Sequence, residues 1–376
     1  MKAAYIHIPF CEHICHYCDF NKVFLQGQPV DEYISLLKKE FEIATTQHPF
    51  DQLETIFVGG GTPTALNEMQ LEALCKGIVE YLPIMPNGEF TFEANPGDMS
   101  VEKLQILADH GVNRLSFGVQ AFNDELLAKI GRAHRVKDVY TTIEKAQKLG
   151  FSNISIDLIY ALPTQTTADF KATLSEALAL DLPHYSGYSL IVEPKTVFYN
   201  LKRKGKLHLP GEDTETEMFT ILMEEMEKKG LRQYEISNFS EPGFESKHNL
   251  IYWNNEEYFG FGAGAHGYIN KKRYSNAGPI KKYMDPLKDG ELPIFEENQV
   301  TKKEMMEEEM FLGLRKTVGV ELEHFKEKYG ESLLDVFKSS ISEMERRELL
   351  IKEEGYLRLT EKGRFLGNEV FQSFLL

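Results

Sequence analysis

This chain is poor in cysteine, tryptophan and basic residues and has no long apolar run, and each scarcity excludes something. Of its 376 residues only 4 are cysteine, and three of these, Cys11, Cys15 and Cys18, share one short stretch. A secreted disulfide framework would spread its cysteines in pairs. The crowding points instead to reduced thiols and a metal. Lys and Arg number 42 against 58 Asp and Glu, a formal charge of −16. So acidic a chain argues against nucleic acid or an anionic membrane as partner. No run of about 18 or more apolar residues exists, so no transmembrane helix is expected. Met1-Lys2-Ala3-Ala4-Tyr5 enters a strand at once, with no apolar leader, and a cytoplasmic location is expected. Cys75 lies in a helical pattern and reads as core.

What is present is an alternation of two periods. Apolar, β-branched runs at Ala3–Ile8, Thr55–Val58, Glu89–Glu93, Arg114–Val119, Ile154–Tyr160 and Tyr185–Val192 predict strands. Helical patterns follow them at about 31–46, 67–81, 100–110, 136–149, 167–180 and 213–229. Six βα units predict a parallel sheet with helices outside. Six are too few for the usual eight-fold closure, so the expected fold is α/β, a partial (β/α)6 TIM-type barrel over residues 1–232. Residues 233–300, rich in Gly, Asn and aromatics at their start, read as an irregular connecting segment with short strands. Residues 301–376 read as a mostly helical, winged-helix-like unit: helices near 301–316, 321–329 and 333–348, a hairpin around Gly355, then helix again. Its Glu307-Glu308-Glu309 run and lack of a basic stripe favour a packing or lid role over DNA binding.

Sites in parallel α/β folds lie at the carboxyl ends of the strands. The polar and glycine-rich residues gather there: the cysteines, Gly59-Gly60-Gly61-Thr62-Pro63-Thr64, Glu93, Gln120, Asp157, and Tyr188 with Ser189. The triple glycine lacks the signatures of a phosphate loop or dinucleotide fingerprint. It reads as a close-approach turn. The cysteine spacing C-x3-C-x2-C suits an iron–sulfur cluster with one iron left open. Zinc is the rival, with His13, His16 or Asp19 completing four ligands.

Tyr5-Ile6-His7-Ile8-Pro9-Phe10-Cys11, the cysteine run, Gly59–Thr64, Phe117-Gly118-Val119-Gln120 and Asp157-Leu158-Ile159-Tyr160 together resemble the radical S-adenosylmethionine (SAM) family. More narrowly they resemble the group of oxygen-independent coproporphyrinogen III oxidases and related haem chaperones. The resemblance covers nearly the whole chain. It implies a [4Fe–4S] cluster held by Cys11, Cys15 and Cys18, with S-adenosyl-L-methionine on the open iron. It also implies a cofactor pocket lined by Tyr5, Gly60, Gly61, Thr62, Glu93, Gln120, Arg132 and Asp157. Arg132 can hold a carboxylate bidentately; Glu93 and Asp157 can accept from hydroxyls or an ammonium.

Two features divide the group. The oxidases carry a further cysteine two positions after the third, where this chain has Phe20, and an N-terminal extension that this sequence does not show. The segment His248-Asn249-Leu250-Ile251-Tyr252-Trp253 resembles the H-N-x-x-Y-W motif of the haem chaperones. His248 is therefore the candidate haem ligand, with His266 as a weaker one. The expected function is a haem chaperone that binds haem as cargo and passes it to an acceptor protein, of the respiratory chain among family relatives, with an unidentified electron donor. The alternative is radical oxidative decarboxylation of coproporphyrinogen III to protoporphyrinogen IX.

Overall fold

The computed structural model describes residues 1–375. Strand β1 (Ala3–Ile8) leads into a short parallel ladder of β2 (Phe10–Cys11) and β3 (Val23–Phe24). Strands β4 (Leu53–Gly60), β5 (Ile84–Ala94), β6 (Arg114–Gln120), β7 (Asn153–Tyr160) and β8 (His184–Ser189) follow. They pair in parallel in the order β1-β4-β5-β6-β7-β8, with helices between them in sequence. The sheet is not closed, as expected for a partial barrel. Several outer helices begin with reciprocal capping: Asn67 with Gln70, and Thr166 with Asp169, which satisfies amides that a helix start leaves free.

The stretch expected to be irregular is instead largely sheet. Strands β9 (Arg232–Gln233) and β10 (Asn238–Ser240) extend one edge antiparallel to β8. Strand β11 (Tyr258–Phe261) pairs in parallel with β1, and β12 (His266–Ile269), β13 (Lys272–Asn276) and β14 (Ile294–Gln299) continue antiparallel from it. The result is a 12-stranded sheet. These strands are short, so their periodicity is weak in sequence. The sixth predicted strand stops at Ser189 rather than Val192; Leu190 and Val192 turn to a small apolar cluster around Leu127 and Phe198.

Alternation along the strands divides the barrel into two chemistries. Ile6, Ile56, Phe92, Leu115 and Ile156 face the helices and form the main core. Their alternates face inward and are mostly polar: Thr55, Glu89, Thr91, Glu93, Arg114, Ser116, Asn153, Ser155, Asp157, His184 and Ser186, with Phe57 an apolar exception. The interior of an ordinary (β/α)8 barrel is filled by branched apolar side chains, so a polar interior marks a place built for something other than packing.

The amino-terminal end of this interior is shut by the helix Lys247–Trp253. The Glu89 carboxylate accepts the amides of Lys247 (3.0 Å) and His248 (3.2 Å). The Ser246 amide donates to the Tyr234 hydroxyl, which meets His184 Nε2 at 2.9 Å.

Residues 302–374 build a second apolar core around Met310, Phe325, Leu349 and Phe374. It includes a sheet ordered β15-β17-β16, formed by β15 (Val320–Glu321), β16 (Leu350–Glu353) and β17 (Tyr356–Leu359). Helices and hairpin follow the winged-helix-like pattern, with the third expected helix split into Leu333–Val336 and Lys338–Arg346. The Arg315 guanidinium lies 5.2 Å from the Trp253 ring and 5.0 Å from the Phe371 ring. The lone tryptophan is thus tied to the second core. No helix among the described residues is long and apolar enough to cross a membrane.

Candidate functional site

The three motif cysteines lie just past β1, at the open carboxyl end of the barrel. Cys11 is buried on β2, while Cys15 and Cys18 are partly exposed in the loop that follows. Burial pushes the Cys11 thiol up to about 11, against the Thr62 hydroxyl, which favours the thiolate. Burial raises Cys18 as well, opposed by the Lys22 ammonium. Thiols held neutral this way lose their protons on binding a metal. Among the described residues no three Cys, His, Asp or Glu side chains are arranged to hold a single metal ion. Of the groups that could complete a zinc site, His16 holds its Nδ1 at 3.0 Å from the Lys129 carbonyl and keeps Nε2 unengaged.

A line of hydrogen bonds runs from the cysteines across the barrel mouth. Thr62 Oγ1 donates to Cys11 Sγ at 3.6 Å, Asn95 Nδ2 donates to Thr62 Oγ1 at 3.1 Å, and Arg132 Nη1 donates to Asn95 Oδ1 at 2.6 Å. The Arg132 guanidinium also lies 6.0 Å from the Tyr17 ring. Burial alone would lower the pKa of Arg132, but the Tyr17 hydroxyl and the Cys15 and Cys18 thiols outweigh it, and Arg132 is held more firmly protonated than usual. The structure therefore adds two residues to the sequence-based set, Asn95 and Tyr17. Asn95 follows directly on the strand end that bears Glu93, so the strand-end rule could have found it. Tyr17 lies inside the cysteine run.

Glycines make room for these side chains. A Cβ at Gly59 would stand 2.5 Å from Glu93 Oε2, and one at Gly118 would stand 2.7 Å from Arg132 Nη2. The Gly60 amide donates to Glu93 Oε2 at 3.0 Å. Gly60 has φ of +108°, open to glycine at little cost. Glu93 keeps part of its surface open to the interior, yet burial pushes its carboxyl up to about 7, with repulsion from Asp157 adding to the effect. Asp157 is raised by burial too, eased by hydrogen bonds from Ser186 and Ser116. On the other flank the Tyr5 hydroxyl meets His7 Nδ1 at 2.9 Å, and His7 Nε2 meets the Asn21 carbonyl at 2.7 Å.

Two polar atoms at this mouth are buried and lack partners: Gln120 Oε1 and Arg132 Nε. Orphaned buried polar groups ask for a ligand or ordered water. With the glycine clearances, the Glu93 and Asp157 carboxylates and the Arg132 fork, they fit a zwitterionic cofactor carrying ribose hydroxyls. The residues expected in the cofactor pocket, Tyr5, Gly60, Gly61, Thr62, Glu93, Gln120, Arg132 and Asp157, thus lie on the inward face or carboxyl ends of β1, β4, β5, β6 and β7, or on the loop after β6.

His248 is not at this mouth. It lies at the closed end, 1% exposed, with Nδ1 at 2.7 Å from Thr55 Oγ1 and Nε2 at 2.8 Å from the Tyr252 hydroxyl. Its ring stacks on Phe57 at 5.1 Å. Burial, aided by the Arg114 charge, lowers its pKa to about 3. Both ring nitrogens are engaged within the protein. His266 by contrast is exposed, on β12. Phe20, where the oxidases carry a cysteine, is 60% exposed beside the motif.

Comparison with known proteins agrees with this geometry. The radical SAM superfamily profile matches residues 5–177, and that of the HemN C-terminal domain matches residues 300–366. The chain is 56% identical to heme chaperone HemW of Bacillus subtilis, covering 100% of this chain and 99% of that one. It is 48% identical to heme chaperone HemW of Lactococcus lactis, covering 100% and 97%. Coproporphyrinogen III oxidase (HemN) from Escherichia coli, a radical SAM enzyme, superposes with a TM-score of 0.87 over 99% of this chain and 90% of that one. At 22% identity what the two share is the fold. Full-length identity above one half, on a barrel with the cysteine triad at its mouth, places this chain in the HemW heme chaperone family of the radical SAM superfamily.

Proposed function

We propose that the protein is a cytoplasmic haem chaperone that binds haem and passes it to an acceptor protein. Cys11, Cys15 and Cys18 would hold a [4Fe–4S] cluster. Thr62, Glu93, Gln120, Arg132 and Asp157, with the backbone of Gly60 and Gly61 and the Tyr5 ring, would hold S-adenosylmethionine. When bound, the reduced cluster supplies one electron to the sulfonium of that cofactor. The residues themselves bind and orient: Arg132 stays charged to grip a carboxylate, Glu93 and Asp157 accept from hydroxyls or an ammonium, and the closed floor keeps water out from below. We assign the barrel to residues 1–232, the connecting strands to 233–300 and the winged-helix-like unit to 301–376.

The observation that carries this reading is the full-length likeness to proteins named heme chaperones, joined to Phe20 in the place of a further thiol. The test is anaerobic reconstitution with iron and sulfide, then two assays. Stoichiometric haem binding without conversion of coproporphyrinogen supports the chaperone. Catalytic formation of protoporphyrinogen overturns it in favour of the oxidase, whose fold this chain shares.

A further inference from the structure

One exposed stretch beside the cysteines carries positive charge with no carboxylate among it. Residues 195–211 hold Lys195, Lys202, Arg203, Lys204 and Lys206 and no Asp or Glu, in a chain of formal charge −16. All five side chains are exposed, and among the described residues none is in an ion pair. Elsewhere exposed cations stand within a turn of a carboxylate, as Lys76 does with Glu72 and Lys148 with Glu144. The dipole of the helix Val197–Arg203 favours Lys202 and Arg203 in its last turn. It does not account for Lys195, ahead of the first turn, or for Lys206, beyond the last. Lys195 also has φ of +67°, a left-handed conformation that costs glycine or asparagine less.

The stretch is anchored on the rim of the barrel mouth. The Phe198 amide donates to the His16 carbonyl at 3.0 Å, and the two rings meet at 5.9 Å. The Thr164 amide, just past β7, donates to the His208 carbonyl at 3.0 Å. Leu201 and Leu207 turn in to the apolar cluster around Leu127 and Phe198, which Tyr17 also joins. His16 and Tyr17 stand between Cys15 and Cys18, so the cationic helix is fastened to the cysteine loop itself. On the two segments that His16 and Phe198 join, Phe20, Ile191 (66%) and Val197 (45%) are exposed. Apolar groups bared among charges mark a surface that meets a partner.

An acidic protein face complements this surface. An anionic membrane complements it less, because the helix has only seven residues and turns Phe198 and Leu201 to the barrel, leaving no continuous apolar face to bury in lipid. The electron that the proposed cluster gives up has to enter the chain from outside, and the patch lies where a donor would face the cysteines. We propose that the helix Val197–Arg203, with its flanking lysines, is the docking face for an acidic, low-potential electron-carrier protein. One electron leaves the partner, which is oxidised, and enters the cluster, which is reduced; no atom is transferred.

The test measures binding of a dye-labelled, acidic plant-type ferredoxin to the full chain by fluorescence anisotropy, before and after reconstitution with iron and sulfide. Wild type is expected to bind it at about 0.01 M ionic strength and to lose about tenfold or more in affinity at about 0.15 M, as the screening length falls from about 30 to about 8 Å. The variant Lys202→Glu/Arg203→Glu/Lys204→Glu should bind about tenfold or more weaker at low salt, with haem and S-adenosylmethionine affinities unchanged. Lys195→Gln/Lys206→Gln serves if that variant does not fold, and should lose part of the affinity. In reconstituted protein, reduction by reduced ferredoxin should slow in the variant, whereas reduction by photoreduced deazaflavin, too small to need a docking face, should not. The inference rests on the proposed cluster. Binding by the unreconstituted chain reads the face, and iron and sulfide content reads the cluster, so the two can fail separately. Equal affinity in wild type and variant, or no salt-dependent binding by wild type, overturns the proposal. Sedimentation of wild type but not the variant with phosphatidylglycerol vesicles, without ferredoxin binding, would overturn it in favour of a membrane.

Discussion

His248 Nδ1 lies 2.7 Å from the Thr55 hydroxyl, so the histidine of the H-N-x-x-Y-W segment is built into the barrel floor. His248→Ala removes a buried ring and takes away the partner of the fully buried Thr55 hydroxyl and of the half-buried Tyr252 hydroxyl. A loss of about 2–4 kcal/mol in denaturant unfolding is expected. The haem Soret band, read well below the melting temperature, is expected to stay unchanged. An altered band would show that the floor helix opens to bring this imidazole to the iron.

The glycine clearances predict a sharper effect on binding than on folding. Gly118→Ala places a methyl 2.7 Å from Arg132 Nη2, and overpacking of this kind costs about 1–3 kcal/mol. The guanidinium can swing away, so the fold should survive by circular dichroism. S-adenosylmethionine affinity in equilibrium dialysis should fall about tenfold or more. Equal affinity in variant and wild type would remove Arg132 from the pocket.

The cysteines predict a metal inventory. Anaerobically reconstituted wild type should carry iron and acid-labile sulfide in equal amounts. Single replacements of Cys11, Cys15 or Cys18 by alanine should abolish both, whereas Cys75→Ala, buried in the core, should leave both intact. Zinc without sulfide in the wild type would refute the cluster.

Glu40 predicts a pH dependence away from the mouth. It is buried and takes hydrogen bonds from Tyr283 (2.6 Å), Asn276 (2.6 Å) and the Gly262 amide (2.9 Å). Burial raises its carboxyl to about 7 against those bonds. Between the unfolded value near 4.5 and about 7 the native state holds the proton more tightly than the unfolded state. Glu40 therefore stabilises the fold below that window, and the contribution is lost as pH rises through it. Glu40→Gln stays neutral throughout, so its stability relative to wild type should improve by about 2–3 kcal/mol from pH 4.5 to 8. A pH-independent difference would place the Glu40 pKa at its ordinary value.

Much of this was legible in the chain because it is local. Strand and helix periods set the six βα units, and capping pairs such as Asn67 with Gln70 fix helix starts. The cysteine spacing and the polar residues at strand ends mark the mouth before any folding is considered. Strands β9 to β14 were not legible. Two- to six-residue strands carry too little periodicity, and their partners lie far away, as when Tyr258 pairs with Ala3.

The sequence by itself determined the parallel barrel, the cysteine triad and the placing of Glu93, Gln120 and Asp157 at strand ends, while Arg132 entered only through the family resemblance. Parallel strands with outer helices admit only that placement of their carboxyl ends. Only the tertiary structure decided which ring nitrogens are engaged, that the His248 ring lies between Thr55 and Tyr252, and that Arg114 pairs in register with Thr91 and Asn153. Burial and pairing belong to contacts between residues distant in the chain, and no spacing along it encodes them.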